Sequence, residues 1–275
     1  MNVQEILNFY SKNGLFGSKH AYKDKFGHLE FFHQYDEITI ETVTEYCSIR
    51  TLQGVKNSTI NRELNVIKSA FNYYLKHKHH ASFKNVFNGF KLFEEDYIPR
   101  FLNAYECQKL LRASKKYDNQ KLHDFIVLAL NTGCRASELT TLTWDNVLIH
   151  EKHFIIRNSL SKNKKTVYKP LNNISIEALY RLKNHNKYVF YNQNTNKPIK
   201  SFRRGFHLAA ERANLAPLRI HDLRHTFASF LIKQGVPIYH VSTLLGHSDT
   251  RITQRYAHLA PENLHDVLKC LPALT

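Results

Sequence analysis

Apolar residues along this chain recur mainly at intervals of three and four, which predicts a mostly helical protein. In residues 39–50, TIETVTEYCSIR, Ile40, Val43 and Cys47 share one helical face. In residues 58–76, Ser58 is placed to cap, and Ile60, Leu64, Ile67, Phe71 and Leu75 follow at helical spacing. The acidic run Glu94-Glu95-Asp96 ahead of Pro99 reads as a linker, with a domain boundary near residue 97. Beyond it, Asn103 and Glu106 stand at capping-box spacing before Leu110 and Leu111. Residues 124–130, DFIVLAL, form a buried segment ended by Asn131-Thr132-Gly133. A further helix starts near Arg135, with Leu139 and Leu142 turned inward.

Residues 153–157, HFIIR, and 166–171, TVYKPL, read as two strands joined by Ser161-Lys162-Asn163-Lys164. The remainder reads as helical. Residues 201–213 follow a Ser201 cap, and residues 221–234 end at Gly235. Pro237 opens the next helix, which closes at Gly246. Thr250 would cap another, carrying Ile252, Tyr256 and Leu259, and Pro261 would start the last, with Leu264, Val267, Leu268 and Leu271. The fold class expected is mainly α with a small β-sheet (α+β). Its two domains are a helical bundle over residues 1–97 and a mixed domain over residues 98–275.

Composition narrows the partner. Of the 275 residues 43% are apolar and 23% charged, ordinary for a globular chain. No apolar run reaches the roughly 18 residues of a membrane helix, and MNVQEILNFY lacks a basic region ahead of an apolar stretch, so neither membrane span nor secretory signal is expected. Cys47, Cys107, Cys134 and Cys270 lie far apart, which gives no CxxC motif and no reason to invoke disulfides; a cytoplasmic setting is the default. Residues 1–98 hold 12 basic and 11 acidic side chains, whereas residues 99–275 hold 27 and 12. A surplus of fifteen cations in the second part is relieved by a polyanion, nucleic acid foremost, or else marks a solvated basic surface. The end of the second helix, Lys76-His77-Lys78-His79-His80, reads as a basic tip suited to DNA phosphates.

The most informative segment is His221-Asp222-Leu223-Arg224-His225. On a helical wheel His221, Arg224, His225 and Ala228 share one face, while Leu223, Phe227, Phe230 and Leu231 form the opposite, core face. A face that presents arginine and histidine together suits an anion: arginine forks onto two phosphate oxygens and histidine moves a proton near neutral pH. Glu138 and Asp222 either orient the arginines or are exposed.

Here the chain resembles a known family. HDLRHTFASFLIKQG, LLGHSD and TRITQRYAHL, in that order, resemble the C-terminal signature of the tyrosine recombinases, the phage-integrase family. NTGCRASELTTLTW resembles its first arginine motif, PRFLNAYECQKLL the entry to its catalytic domain, and residues 58–76 its core-binding helices. The resemblance implies a two-domain C-shaped clamp on double-stranded DNA, with residues 1–97 as a SAM-like core-binding domain and residues 98–275 as the catalytic domain. It implies a homotetramer on two DNA sites, with the last helix either exchanged between subunits or folded back. No cofactor and no metal are implied.

Carried over residue by residue, Arg135 and Arg224 would clamp the non-bridging oxygens of the scissile phosphate. His221 would act in proton transfer, His247 would donate a hydrogen bond to the phosphate, and Tyr256 would be the nucleophile. Lys162, eight residues ahead of Pro170, would protonate the leaving 5′ oxygen, with Lys164 and Lys165 as rivals. The chemistry is consistent. Fixed cations stabilise the charge that builds on phosphate oxygens in the transition state, and a phosphotyrosine conserves the bond for rejoining.

Taken singly, each residue has a plainer reading: Tyr256 as core, Arg135 as a surface ion pair, Lys162 as a hairpin lysine, His247 as a loop residue. His221 and His225 at i, i+4 only superficially match a zinc-protease helix, because Asp222 stands where glutamate belongs and Arg224 puts a cation beside the metal. The alternatives to a recombinase are a type IB topoisomerase and a catalytically silent DNA-binding protein.

Overall fold

Apolar stripes at helical spacing fold as helices throughout the computed structural model, which describes residues 3–13, 27–35, 37–77, 85–94, 99–115, 120–157, 166–247 and 249–260. The chain divides into two compact units, Met1–Tyr97 and Ile98–Thr275.

The first unit is built from α1 (Val3–Lys12), α2 (Ile40–Leu52) and α3 (Asn57–His77), with a 3-10 turn at Gly27–Gln34. Thr39 caps α2, its hydroxyl accepting from Thr42 N–H while the Thr42 hydroxyl accepts from Thr39 N–H. Ile6, Leu29, Phe32, Val43, Tyr46, Ile60, Leu64 and Ile67 make the core. Two expectations fail here. Ile40 is 57% exposed, because Tyr46, not Ile40, joins Val43 and Cys47 in the core. The next helix begins at Asn57, which puts Ser58 inside it rather than at its cap.

The buried face of α3 also carries Glu63, 2% exposed. Its carboxylate accepts from Arg50 Nε at 3.0 Å and Nη2 at 2.7 Å, and from the Tyr46 hydroxyl at 2.8 Å. Removing one partner of a buried pair strands the other charge. Glu63→Ala is therefore expected to cost about 3–5 kcal/mol. Denaturant unfolding, with hydrogen exchange read over residues 40–77, would measure this; a loss below about 1 kcal/mol would mean that water already solvates Arg50.

The second unit opens with the expected capping box: Glu106 N–H donates to Asn103 Oδ1 and Asn103 N–H to the Glu106 carboxylate, starting α4 (Ala104–Lys115). α5 (Gln120–Thr132) holds the DFIVLAL stretch, with Phe125, Ile126 and Leu128 fully buried. The helix α6 (Ala136–Thr140) leads to a three-stranded antiparallel sheet in the order β1 (Val147–Leu148), β2 (His153–Ile156), β3 (Val167–Pro170). In register, Phe154 faces Lys169. β1, two residues long, is the strand that the sequence pattern did not predict. The turn bearing Lys162, with Lys164 and Lys165, lies outside the described residues.

The helices α7 (Asn173–Leu182), α8 (Arg203–Arg212), α9 (Ile220–Lys233) and α10 (Ile238–Leu245) follow. The stretch between α7 and α8 is irregular, tied by single bridges Thr143–Tyr188 and Tyr191–Pro198, so the remainder is not helical throughout. Asn184, Asn186 and Asn192 hold it with side-chain to backbone bonds that compete with a helix. The hydroxyl of Ser201 accepts from Arg203 N–H, yet the cap position belongs to Phe202. Asp249 rather than Thr250 caps the following segment, which is 3-10 at Thr250–Ile252 and Gln254–Leu259. The last expected helix, with Leu264, Val267, Leu268 and Leu271, lies outside the described residues. Among those described, no helix is long and apolar enough to cross a membrane.

Candidate active site

Five of the six residues singled out from sequence fall on three neighbouring helix ends and one 3-10 turn of the second unit. Arg135 sits at the N-cap of α6, His221 and Arg224 in the first turns of α9, His247 just past the C-cap of α10, and Tyr256 in the 3-10 turn Gln254–Leu259.

Both arginine-bearing helices start with one device. Arg135 N–H donates to Glu138 at 2.8 Å and Arg135 Nη1 to the same carboxylate at 2.7 Å. Arg219 N–H likewise donates to Asp222 at 2.8 Å, and Arg219 Nη2 at 2.9 Å. Glu138 and Asp222 are both buried. Asp222 therefore orients Arg219, outside the helix, and not Arg224. A wheel drawn from the first helical residue does not include this partner.

Arg224 is 3% exposed. Its Nη1 donates to Gly133 O at 2.8 Å and its Nη2 to Leu245 O at 2.9 Å. One guanidinium thus ties together the backbone two residues before Arg135 and two residues before His247. Gly133 permits this approach. Its φ is +61°, and a Cβ there would lie 2.4 Å from a Phe227 ring carbon. Burial first, and then the Arg135 charge, push the Arg224 pKa down to about 10; Glu138, Cys134 and Tyr256 oppose this. The two arginines are thus close enough to repel, a strain that an anion between them relieves.

α9 is buried on more sides than its amphipathic pattern implied. It packs against α5 on one side and against the 254–259 turn on another. Arg224, His225, Ala228 and Ser229 are all buried, whereas Phe230, assigned to the core face, is 37% exposed.

The phenol of Tyr256 is 2% exposed and hydrogen-bonds Nδ1 of His225. Its ring packs with Ala228, Ile232, Val241 and Leu245. His225 in turn stacks edge-on with His221, ring centroids 4.8 Å apart. Thr253, fully buried, joins the last two site residues: its hydroxyl meets His247 Nδ1 at 2.8 Å, and its carbonyl accepts from Tyr256 N–H at 3.0 Å. Sequence reasoning put His225 on the anion-facing side of its helix without pairing it with Tyr256, and gave no role to Thr253. The i, i+4 spacing of His221 and His225 was the available signal for the first; for Thr253 there was none.

The histidines are held neutral. Burial, then the His221 charge, lower the His225 pKa to about 4. Burial, then Arg224 and Arg135, lower that of His247 to about 3. His221, at the open edge, is lowered by partial desolvation and by Arg224. The unfolded chain, with ordinary imidazoles near 6.5, binds more protons than the folded one between pH 4 and 6.5, so stability falls as pH drops through that window. The midpoint of thermal unfolding is expected to be flat above about pH 7 and to fall steeply from pH 6.5 towards 4. A flat profile down to pH 5 would show that these imidazoles protonate in the folded state without penalty. Among the described residues no three histidine, cysteine or acidic side chains cluster as a metal site.

This arrangement can bind a phosphodiester with two guanidinium groups and a histidine, and it stores a phenol one histidine away. Comparisons with known proteins give the family. The phage integrase family model matches residues 100–263, which contain every residue above. The integrase of Salmonella phage P22 is 31% identical over 178 residues; the match takes in 60% of this chain but only 45% of that protein, so the chain spans less than half of that relative's length. The tyrosine recombinase XerC of Staphylococcus carnosus is 24% identical over 96% of this chain and 95% of its own. Among solved structures, the Tn1549 transposon integrase in complex with a circular intermediate DNA superposes with a TM-score of 0.76 at 21% identity. That superposition covers 98% of this chain and 100% of the other, a likeness of fold. With its family motifs matched over more than half its length and gathered around one buried arginine, the chain belongs to the phage integrase family.

Proposed function

We propose that this protein is a site-specific DNA recombinase that breaks and rejoins strands through a phosphotyrosine. The observation that carries this reading is the buried Arg224 guanidinium, which binds the Arg135 and His247 segments together beside a stored phenol. In the reaction, Arg135 and Arg224 hold the two non-bridging oxygens of one phosphate and His247 donates to the same group. Tyr256 Oη forms a bond to phosphorus as the P–O5′ bond breaks. The phenol proton leaves through His221, and the departing 5′ oxygen takes a proton from Lys162, or from Lys164 or Lys165 of the same turn. The product is a 3′-phosphotyrosine and a free 5′-hydroxyl, so the attack can be reversed by another 5′-hydroxyl without ATP.

A phenol that is 2% exposed cannot meet a phosphate from solution. The turn around residues 250–260 therefore opens, releasing Oη from His225, before attack. Residues 1–97 act as the core-binding domain and residues 98–275 as the catalytic one, each contacting duplex DNA. Strand exchange takes place in a homotetramer on two sites in the cytoplasm, with the chain after residue 260 exchanged between subunits.

Sequencing DNA crosslinked to the chain in cells would supply the target. A nicked oligonucleotide of that sequence would then trap the intermediate. The expected product is a denaturation-resistant adduct whose digest yields Tyr256 esterified to a 3′-phosphate. DNA binding without an adduct, or linkage through a 5′-phosphate, would overturn the reading.

A further inference from the structure

Lys169 is 1% exposed, on the middle of β3, and no step above uses it. The neighbouring strand residue Tyr168 points to solvent at 63% exposure, so the alternation of the strand drives Lys169 inward. There its ammonium donates to Leu244 O, near the C-terminal end of α10.

The last carbonyls of a helix have no partners within it. In α10 each of the final four is accounted for. Ser242 O accepts from the Gly246 and His247 N–H groups and Thr243 O from Gly246 N–H. Leu244 O is taken by Lys169 and Leu245 O by Arg224. Two buried cations thus cap one helix end, from opposite elements, where the helix dipole favours positive charge. The same strand grips this end a second time: a Cβ on Gly246 would lie 3.4 Å from both Val167 methyl groups. The next residue in the chain is His247.

We propose that Lys169 is a positioning residue for strand cleavage: by capping α10 from β3 it fixes where the chain leaves the helix, and so where His247 stands relative to the arginine pair. This rests on the recombinase reading above. A buried ammonium is costly unless bonded, and burial, together with Arg224 and Arg135, lowers the Lys169 pKa while Cys134 and Glu138 raise it. Holding a third cation beside two arginines is a poor choice for stability alone, because an apolar residue of similar volume avoids the desolvation. It is intelligible if the carbonyl must be held for His247. The proposal also ties β3 to the helix that delivers His247.

The test is a double-mutant cycle in the full chain, read as the rate of covalent adduct formation on saturating nicked target DNA. Lys169→Met is expected to slow the wild-type background at least tenfold while changing DNA affinity less than threefold. In a His247→Ala background the same substitution is expected to change the rate less than threefold, since its effect runs through His247. Equal loss in both backgrounds would assign Lys169 a general structural role and overturn the proposal, as would an unchanged rate in Lys169→Met. If Lys169→Met does not fold, Lys169→Gln, which keeps a shorter neutral donor, is put through the same cycle and judged by the same two outcomes. The wild-type chain serves as the control: its failure to form adduct defeats the recombinase reading itself, a result separate from any behaviour of Lys169.

Discussion

Tyr256→Phe is expected to abolish covalent capture of nicked target DNA while leaving DNA affinity within about threefold of the parent. The ring would keep its packing against Ala228, Ile232, Val241 and Leu245, since only the hydroxyl is removed. The hydrogen bond to His225 is lost with it. Losing that buried hydrogen bond costs about 0.5–1.5 kcal/mol, so the variant should also unfold a few degrees lower. The two effects are separable: capture is all or none, whereas stability shifts modestly. An adduct formed by the phenylalanine protein would assign the nucleophile to another residue. A variant that no longer binds DNA would instead make the 254–259 turn part of the DNA contact.

Arg224→Lys should be the next most damaging change, although it keeps the charge. The guanidinium spans two carbonyls, Gly133 O and Leu245 O, from one planar group. An ammonium is a single point with different reach, so it cannot reproduce that bridge or fork onto two phosphate oxygens. Loss of one preorganised donor to developing charge in an active site typically costs about 10²–10³ in rate. Here the loss is compounded, because the Arg135 and His247 segments are no longer held together. A fall in cleavage rate of at least about 10³ is expected, with DNA affinity nearly unchanged. Stability should also fall, since a single ammonium cannot satisfy both buried carbonyls. Cleavage within threefold of the parent would mean that charge alone suffices, and that the bridge seen here is incidental.

Much of the fold was legible because the signals were local. The Asn103–Glu106 capping box, the glycine at the end of α10 and the strands β2 and β3 each announce themselves over a few residues. Part of the candidate site was legible for the same reason: the HDLRH spacing places His221, Arg224 and His225 together on a helix whatever surrounds it, whereas Arg135, His247 and Tyr256 rested on the family resemblance. What stayed hidden depends on partners distant in sequence. Nothing within residues 39–50 says that Ile40 faces water while Tyr46 turns inward to Glu63, seventeen positions on. The core face assigned to α9 was incomplete: Leu223 is buried as expected and Phe230 is not, because that reasoning allows a surface helix one buried side and this one has neighbours on two. Lys169 reads as an ordinary strand lysine, since only the position of α10 makes it an internal cap. Thr250, Ile252, Tyr256 and Leu259 fit an α-helical pattern, yet the segment winds more tightly as 3-10.

The placement of the phenol against His225 has a consequence for encounters with the wrong DNA. For a recombinase of the kind proposed, a displayed nucleophile would scar whatever duplex it touched. In the proposed reaction the phenol must first leave His225, so cleavage waits on that rearrangement. On that reading discrimination would be carried by dwell time: a sequence that holds the protein only briefly would be released intact, and one that retains it past the delay would be cut.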